Sequence, residues 1–253
     1  GLGVMGLHSY FQKKKIPFGS VMSKVWNKKV FKDIQTKVDA ASVALAEERG
    51  ACPDAEEYGI KERFSNKTAI APTASISIIC GGTSPGIEPI SGNSYTHKTL
   101  SGSYNVRNKY LTEVLENYGK NDDETWSSIT TNQGSVSHLD FLTIEEKETF
   151  KTAFEIDQRW IVELGADRTP HISQAQSVNV FIPADIHKRD LHNIHFQAWK
   201  KGLKSLYYCR SKSIQRAENV NTGASTDVKK NVYSKEQESN NESNNYEECL
   251  SCQ

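Results

Sequence analysis

The chain of 253 residues carries 31 basic and 31 acidic side chains, so its formal net charge is zero. This balance is not typical of a nucleic-acid-binding protein, which needs a basic excess on its surface. Hydrophobic residues make up 36% of the sequence, enough for one large domain or two small ones to bury a core, but no apolar run is long enough to span a bilayer. We therefore expect no membrane contact.

One long helix dominates the first part of the predicted secondary structure. In residues 24–49 apolar side chains recur near helical spacing, and Gly50 follows where a C-cap glycine is common. These apolar side chains are Val25, Phe31, Ile34, Val38, Ala41 and Leu45. Residues 67–79 are rich in β-branched and small hydroxyl side chains and predict a strand that runs into a turn or a helix start. The glycines and the proline of residues 81–86 predict a loop.

Helices and strands are predicted to alternate in the second part of the folded region. The predicted elements are helices at residues 107–118 and 144–164, a short strand at 177–182, a helix at 187–201 closed by Gly202, and a strand at 203–208. The helix at 187–201 places apolar side chains on one side, namely Leu191, Ile194, Ala198 and Trp199. Such alternation predicts an α/β architecture with parallel strands.

The composition changes after about Ala217, and residues 219–248 contain almost no large aliphatic side chains. A segment rich in Ser, Asn and Glu cannot bury enough apolar surface to offset the entropy that is lost when it becomes ordered. We therefore predict a folded region at residues 1–216 and a flexible, disordered tail at residues 217–253.

The tail ends in the pair Cys249 and Cys252, two of the five cysteines of the chain. An odd number of cysteines at irregular spacing is not typical of a secreted disulfide framework, so we expect a cytoplasmic protein. Two thiols at this spacing on a mobile tether are able to take a disulfide from a buried site and pass it to an external reductant. The alternatives are half a zinc site, for which a second cysteine pair is missing, and a chance pair of tail cysteines. We predict no metal site in the chain.

A second candidate site is the segment from Ala71 to Ser77. Small hydroxyl residues after a strand and beside a glycine-rich loop suit an oxyanion, because backbone N–H groups at a helix start carry partial positive charge. Apolar Ile76 alternates with Ser75 and Ser77, however, so a buried strand is the alternative interpretation.

The tyrosines at positions 207 and 208 end the last predicted strand. Tyrosine is oxidisable and loses its phenolic proton as the electron leaves, so neighbouring phenols are able to relay a radical in short hops. On a regular strand adjacent side chains face opposite ways, and a stacked pair requires the strand to end or kink there. Because tyrosine is also a good strand former, structural packing is the alternative.

Other polar residues give weaker indications. Glu88 lies in the rigid turn 85–89, where it either orients the adjacent loop or is simply exposed. His187, His192 and His195 share one predicted helix but lack a third ligand, so we interpret them as surface or boundary residues.

Taken together, and in this order along the chain, these motifs resemble the large subunit of class I ribonucleotide reductase. Residues 70–77 resemble the substrate-phosphate loop of that family, residues 84–89 resemble its Gly-Ile-Glu-Pro turn, and residues 198–208 are similar to its last barrel strand and the preceding helix. The resemblance covers essentially the whole chain. It implies the latter part of a ten-stranded α/β barrel, followed by the disordered tail.

The resemblance also implies roles for individual residues. Tyr207 and Tyr208 would pass a radical towards the catalytic cysteine from a small subunit, which carries the metal-radical cofactor, and this chain would bind no cofactor itself. Cys249 and Cys252 would re-reduce the active-site disulfide and would be regenerated by thioredoxin or glutaredoxin. The diphosphate of a ribonucleoside diphosphate would be held by Pro72, Thr73, Ala74, Ser75, Ile76 and Ser77.

Departures from the family pattern imply that essential residues lie elsewhere. The family places its radical cysteine in an Asn-x-Cys-x-Glu string, which does not occur here, and neither Cys52 nor Cys80 lies in such a setting. The sequence starts with Gly1, and its first residues resemble the middle of a folded protein. We therefore expect a fragment, or one piece of a split enzyme, that folds stably only against an N-terminal part with the remaining strands.

Two alternatives stay open at this point. A vitamin B12-dependent class II reductase has a similar phosphate loop but needs no tyrosine relay, so the adjacent tyrosines favour class I. The other alternative belongs to a different class of protein, a non-catalytic binding module with a redox-sensing tail.

Overall fold

The computed structural model describes residues 1–99 and 102–211. The described residues all belong to one compact unit. Cys249, Cys252 and the predicted flexible tail lie outside the described residues, so the tether and its thiol pair stay predictions.

The described residues contain nine α-helices and four β-strands. The helices are α1 (Leu7–Lys13), α2 (Val21–Arg49), α3 (Pro53–Glu57), α4 (Ala74–Ile79), α5 (Lys109–Asn117), α6 (Asp123–Thr131), α7 (Ile144–Thr149), α8 (Gln158–Arg168) and α9 (Lys188–Lys200). The strands are β1 (Ser94–Thr99), β2 (Gly102–Arg107), β3 (Val180–Ile182) and β4 (Cys209–Ser211). Across the described part of the chain, every helix is too short or too polar to cross a membrane.

Short parallel segments joined by helices form the framework. β3 pairs with β4 in parallel, and isolated parallel bridges join Leu2 to Thr68 and Ile70 to Gln176. The mixture of helices and parallel strands agrees with the predicted α/β class, although the ten-stranded barrel stays a prediction. β1 and β2 form an antiparallel hairpin that the sequence pattern did not predict.

The long helix α2 is confirmed, but its packed face differs from the prediction. Gly50 closes the helix with a φ of 83°. Of the six apolar residues expected on the packed face only Phe31 is buried, and Val25 is 52% exposed. The polar Asn27 is buried instead, because its side-chain amide donates a hydrogen bond to the carbonyl of Leu164 in α8.

Two predicted elements are wrong in their bounds. Residues 144–164 form two helices rather than one, because the carboxylate of Asp157 accepts a hydrogen bond from the N–H of Arg159 and starts α8 as a separate helix. Residues 203–208 are not a strand, and the strand begins only at Cys209.

A buried arginine links α8 to its neighbours. The guanidinium of Arg168 donates hydrogen bonds to the side-chain oxygens of Gln176 and Asn27, and it lies 5.7 Å from the ring centre of Phe31. Burial lowers the pKa of Arg168 to about 9. Because these partners belong to α2 and to the segment that bridges to Ile70, one side chain fixes a helix pair against the parallel framework.

Replacing Arg168 with Met is expected to destabilise this junction, since the buried amides of Asn27 and Gln176 lose a charged partner. Loss of such a network costs roughly 3 kcal/mol, so amide exchange in α8 is expected to accelerate about 100-fold. Hydrogen–deuterium exchange of the full chain measures this change. The control Arg189→Met removes an exposed charge on α9 and should leave the exchange of α8 unchanged. Equal effects of the two substitutions would contradict the assignment.

Candidate functional site

The segment that was expected to be either an anion loop or a buried strand is the start of a helix. Thr73 precedes α4, and the first helical hydrogen bond runs from the N–H of Ser77 to the carbonyl of Thr73 over 2.9 Å. The N–H groups of the first turn therefore have no acceptor within the helix. The buried-strand interpretation is wrong, since Ile76 is helical and 56% exposed.

A hydrogen bond ties this loop to the Gly-Ile-Glu-Pro turn. The hydroxyl of Thr73 accepts a hydrogen bond of 2.7 Å from the N–H of Gly86. Thr73 has a φ of 54°, which is an uncommon backbone conformation for a β-branched residue. Gly86 has a φ of 47°, and a Cβ there would lie 2.9 Å from the carbonyl oxygen of Ala71, so the position requires glycine.

The residues of the predicted phosphate loop differ in their exposure. Ser77 is buried, and its hydroxyl donates a hydrogen bond of 2.8 Å to the carbonyl of Ala74. That hydroxyl is therefore used inside the helix. The exposed or partly exposed members of the loop are Pro72, Thr73, Ala74, Ser75 and Ile76.

The rings of Tyr207 and Tyr208 are in contact. Their centroids are 4.1 Å apart with an angle of 46° between the planes, and their hydroxyl oxygens are 3.3 Å apart. The two residues are 46% and 39% exposed, so they lie at the surface of the described structure rather than in its core.

A one-residue bulge places both rings on the same side. The N–H of Tyr207 donates a hydrogen bond to the carbonyl of Val178, but the N–H of Val180 donates to the carbonyl of Tyr208. Two residues of one segment therefore lie opposite Asn179 alone, which is the pattern of a β-bulge. On a regular strand the same two side chains would point to opposite faces.

The side chain of Asn179 completes the hydrogen bonding of the bulge. Its Oδ1 accepts from the N–H of Tyr208 at 2.8 Å, and its Nδ2 donates to Oε1 of Glu88 at 2.5 Å. Both Asn179 and Glu88 are buried, so Glu88 is not an exposed residue of its turn. Asn179 was missed at the sequence level, although a polar residue within the apolar strand predicted at 177–182 is a usable signal.

The environment of the buried Glu88 carboxyl group changes its pKa. Burial raises the pKa of Glu88 to about 7, against the opposing effects of the Arg210 charge and the hydrogen bond from Asn179. The guanidinium of Arg210 also lies 5.5 Å from the ring centre of Tyr208. One cation therefore faces both the buried acid and the tyrosine pair.

The remaining candidates show no arrangement that would hold a metal ion. His187, His192 and His195 are exposed on α9 or at its N-terminus, in agreement with the surface interpretation. Within residues 1–99 and 102–211, there is no group of three or more His, Cys, Asp or Glu side chains placed for a metal ion. Cys52 and Cys80 are free thiols, and Cys52 immediately precedes α3.

Stability is expected to depend on pH through Glu88. Its pKa is about 7 in the folded chain against an ordinary value of 4.5, so its stabilising contribution is complete below pH 4.5 and is lost as the pH rises through 7. The loss amounts to at most about 3 kcal/mol. After correction for intrinsic rates, amide exchange in residues 176–182 should be faster at pH 8.5 than at pH 5.5 in the full chain.

The substitution Glu88→Gln should abolish this difference, whereas the control Glu47→Gln, at an exposed position of α2, should retain it. Slower corrected exchange at the higher pH in the unsubstituted chain would refute the assignment.

Comparison with known proteins defines the class of this chain. A family model described as "Ribonucleotide reductase, barrel domain" matches residues 1–64 and 54–209. The chain therefore belongs to the ribonucleotide reductase barrel-domain family.

Individual relatives agree with this assignment. The chain is 45% identical over 226 residues to the ribonucleoside-diphosphate reductase large subunit of Invertebrate iridescent virus 6, covering 88% of this chain and 23% of that protein. It is 32% identical over 247 residues to large chain 2 of the Saccharomyces cerevisiae enzyme, covering 85% and 28%. The resemblance to ribonucleotide reductase large subunits that was inferred from sequence motifs is confirmed.

A solved structure is also similar. The class Id ribonucleotide reductase alpha subunit of Actinobacillus ureae superposes with a TM-score of 0.77 at 37% identity, covering 87% of this chain and 40% of that one. The chain thus spans between 23% and 40% of the length of these three proteins.

Proposed function

We propose that this chain is the C-terminal portion of the catalytic subunit of a cytoplasmic ribonucleoside-diphosphate reductase, which makes deoxyribonucleoside diphosphates for DNA synthesis. The observation that carries the proposal is the contact between the exposed rings of Tyr207 and Tyr208. A radical relay requires neighbouring phenols, and here the two hydroxyl oxygens are 3.3 Å apart. The similarity to large subunits from viruses and yeast supports the same function.

In the proposed reaction the ribose loses its 2′-hydroxyl group as water, and two thiols supply two electrons and become a disulfide. The substrate diphosphate is proposed to lie at residues 72–76. The position of these residues at the start of a helix, where backbone N–H groups carry partial positive charge, supports this role. The hydrogen bond between Thr73 and Gly86 supports it as well, because it holds the loop in a fixed conformation before substrate arrives.

The tyrosine pair is proposed to carry the radical from the metal-radical cofactor of a separate small subunit. Each phenol that is oxidised releases an electron and a proton. The 3.3 Å between the two hydroxyl oxygens is slightly longer than an ordinary O–H···O hydrogen bond of about 2.5–3.0 Å. A small approach of the two rings therefore brings the oxygens to a distance at which a proton passes as the electron hops. This arrangement favours a class I reductase over a cobalamin-dependent class II enzyme.

Other residues of the complete enzyme are proposed to come from an N-terminal part that carries the radical cysteine. Neighbouring exposed apolar side chains support a packing partner, because an apolar surface patch is typical of an interaction site. Val21, Met22 and Val25 form such a group in the first two turns of α2. Cys249 and Cys252 are proposed to re-reduce the active-site disulfide, with thioredoxin or glutaredoxin as the external reductant.

Phenylalanine at either tyrosine is expected to abolish turnover in a complex of the chain with the N-terminal part and the small subunit. Phenylalanine is not oxidised under these conditions, so Tyr207→Phe and Tyr208→Phe should each lose at least about 4 kcal/mol of transition-state stabilisation, or about 1,000-fold in rate. The assay is deoxyribonucleotide formation.

The matched control is Tyr118→Phe, which removes an exposed phenol that hydrogen bonds to Glu146. It should retain full activity. Full activity of both relay variants, together with a requirement for added cobalamin and none for a small subunit, would instead establish the class II alternative.

Serine at the terminal cysteines is expected to separate single turnover from multiple turnover. Cys249→Ser and Cys252→Ser should form product once per active site at the normal rate and then stop in the presence of thioredoxin, because the active-site disulfide is no longer reduced. The control Cys80→Ser removes an exposed thiol and should turn over normally. Unchanged steady-state turnover of the tail variants would favour a tail that has no part in catalysis.

A further inference from the structure

We propose that Asn179, held in orientation by the buried Glu88, is a positioning residue for the tyrosine pair, because it maintains the bulge in which the rings of Tyr207 and Tyr208 touch. This inference rests on the proposed radical relay. It goes further by assigning the residues that set the geometry of the relay.

The bulge creates a hydrogen-bonding problem at one backbone group. The extra residue leaves the N–H of Tyr208 without a carbonyl acceptor on the facing segment, because the neighbouring ladder bonds involve Val178 and Val180. A polar group that is removed from water without a partner is destabilising. Oδ1 of Asn179 provides the acceptor at 2.8 Å, so the bulge is retained without this destabilisation.

An asparagine alone would not fix this contact, since its amide is able to rotate and present a donor in place of the acceptor. Oε1 of Glu88 accepts a hydrogen bond from Nδ2 of Asn179 and selects one of the two orientations. A carboxyl oxygen accepts this bond whether or not the group is ionised. The pair is buried, so water does not replace either partner.

The chemistry of the relay depends on this arrangement. If the segment reverted to a regular strand, adjacent side chains would point to opposite faces, and the phenol oxygens would separate from 3.3 Å to a distance on the order of 10 Å. Electron transfer slows steeply with distance, and direct proton transfer between the hydroxyl groups would be lost. The cation of Arg210 beside the ring of Tyr208 adds a second contact that holds the pair.

Isosteric substitutions test the proposal without a change in core volume. In Glu88→Gln the side-chain amide oxygen still accepts from Asn179, so kcat should stay within about 3-fold of the unsubstituted enzyme. A protonated Glu88 would still donate to the carboxylate introduced at position 179, so Asn179→Asp is assayed at pH 9, well above the pKa of about 7 of Glu88. Both carboxyl groups are then ionised and repel each other, and kcat should fall about 10-fold while KM for the ribonucleoside diphosphate is unchanged.

The double variant Glu88→Gln with Asn179→Asp provides the rescue. The glutamine Nε2 then donates to one aspartate oxygen, and the other oxygen accepts from the N–H of Tyr208. Both hydrogen bonds are restored, and only the one between positions 88 and 179 has its direction reversed. The double variant should recover to within about 3-fold of the original kcat. The double variant contains one carboxyl group, as does the original pair of Glu88 and Asn179. Recovery of kcat would therefore show that the hydrogen-bond geometry matters and not the position of the charge.

A spectroscopic readout separates this inference from the relay itself. The 19F resonance of 3-fluorotyrosine at position 207 reports the neighbouring ring, and it is measured in the full chain bound to the N-terminal part. We expect the resonance to shift in Asn179→Asp and to return in the double variant.

An unshifted resonance in Asn179→Asp would overturn the proposal whatever the activity. The proposal would also be overturned if Asn179→Asp shifts the resonance but leaves kcat unchanged, provided that Tyr208→Phe inactivates the same enzyme. If Tyr208→Phe is fully active, the proposed radical relay is wrong. The fluorine spectra alone then support or overturn the positioning of the tyrosine rings by Asn179.

Discussion

The geometry of the candidate relay depends on a single buried amide. Asn179 bonds the backbone N–H of Tyr208 on one side and the carboxyl group of Glu88 on the other. The first bond stabilises an extra residue in the segment before β4, and the second determines which end of the amide faces that residue. Without both, the two tyrosines follow the ordinary alternation of a strand and their rings separate.

The same interaction connects the two candidate sites. Glu88 belongs to the turn that contains Gly86, and the N–H of Gly86 is bonded to the hydroxyl of Thr73 at the start of the proposed phosphate loop. Covalent links and hydrogen bonds therefore run from the loop through the turn to Asn179 and the tyrosine pair. The Gly-Ile-Glu-Pro motif contacts both sites, through the N–H of Gly86 on one side and the carboxyl group of Glu88 on the other.

Sequence patterns predicted the elements that depend on local spacing. The helix α2 and its closing Gly50 follow from periodicity and a cap residue, whereas a helix start near Thr73 was only one of two interpretations of its segment. The bulge could not be predicted in this way, because it depends on the register of a segment that is distant in the chain. The prediction of a strand at 203–208 assumed regular pairing. The bulge at Tyr207 and Tyr208 interrupts that pairing, and β4 begins only at Cys209.

The packed face of α2 was mispredicted for a related reason. Buried polar groups such as Asn27 are tolerated only because partners from distant segments satisfy them, and those partners are invisible to a helical pattern. Apolar residues of the same helix, such as Val25, are exposed instead. Their exposure agrees with an expectation that the sequence did give, that an N-terminal part packs against this portion.

The central claim is that a radical passes through the two touching phenols. Replacing Tyr208 with 3-aminotyrosine tests it directly, because an amino group makes the ring easier to oxidise and stops the radical there. In the complete complex, freeze-quenched after substrate is added, electron paramagnetic resonance should show an aminotyrosyl radical while product formation falls sharply. Normal product formation with no such signal would contradict the account.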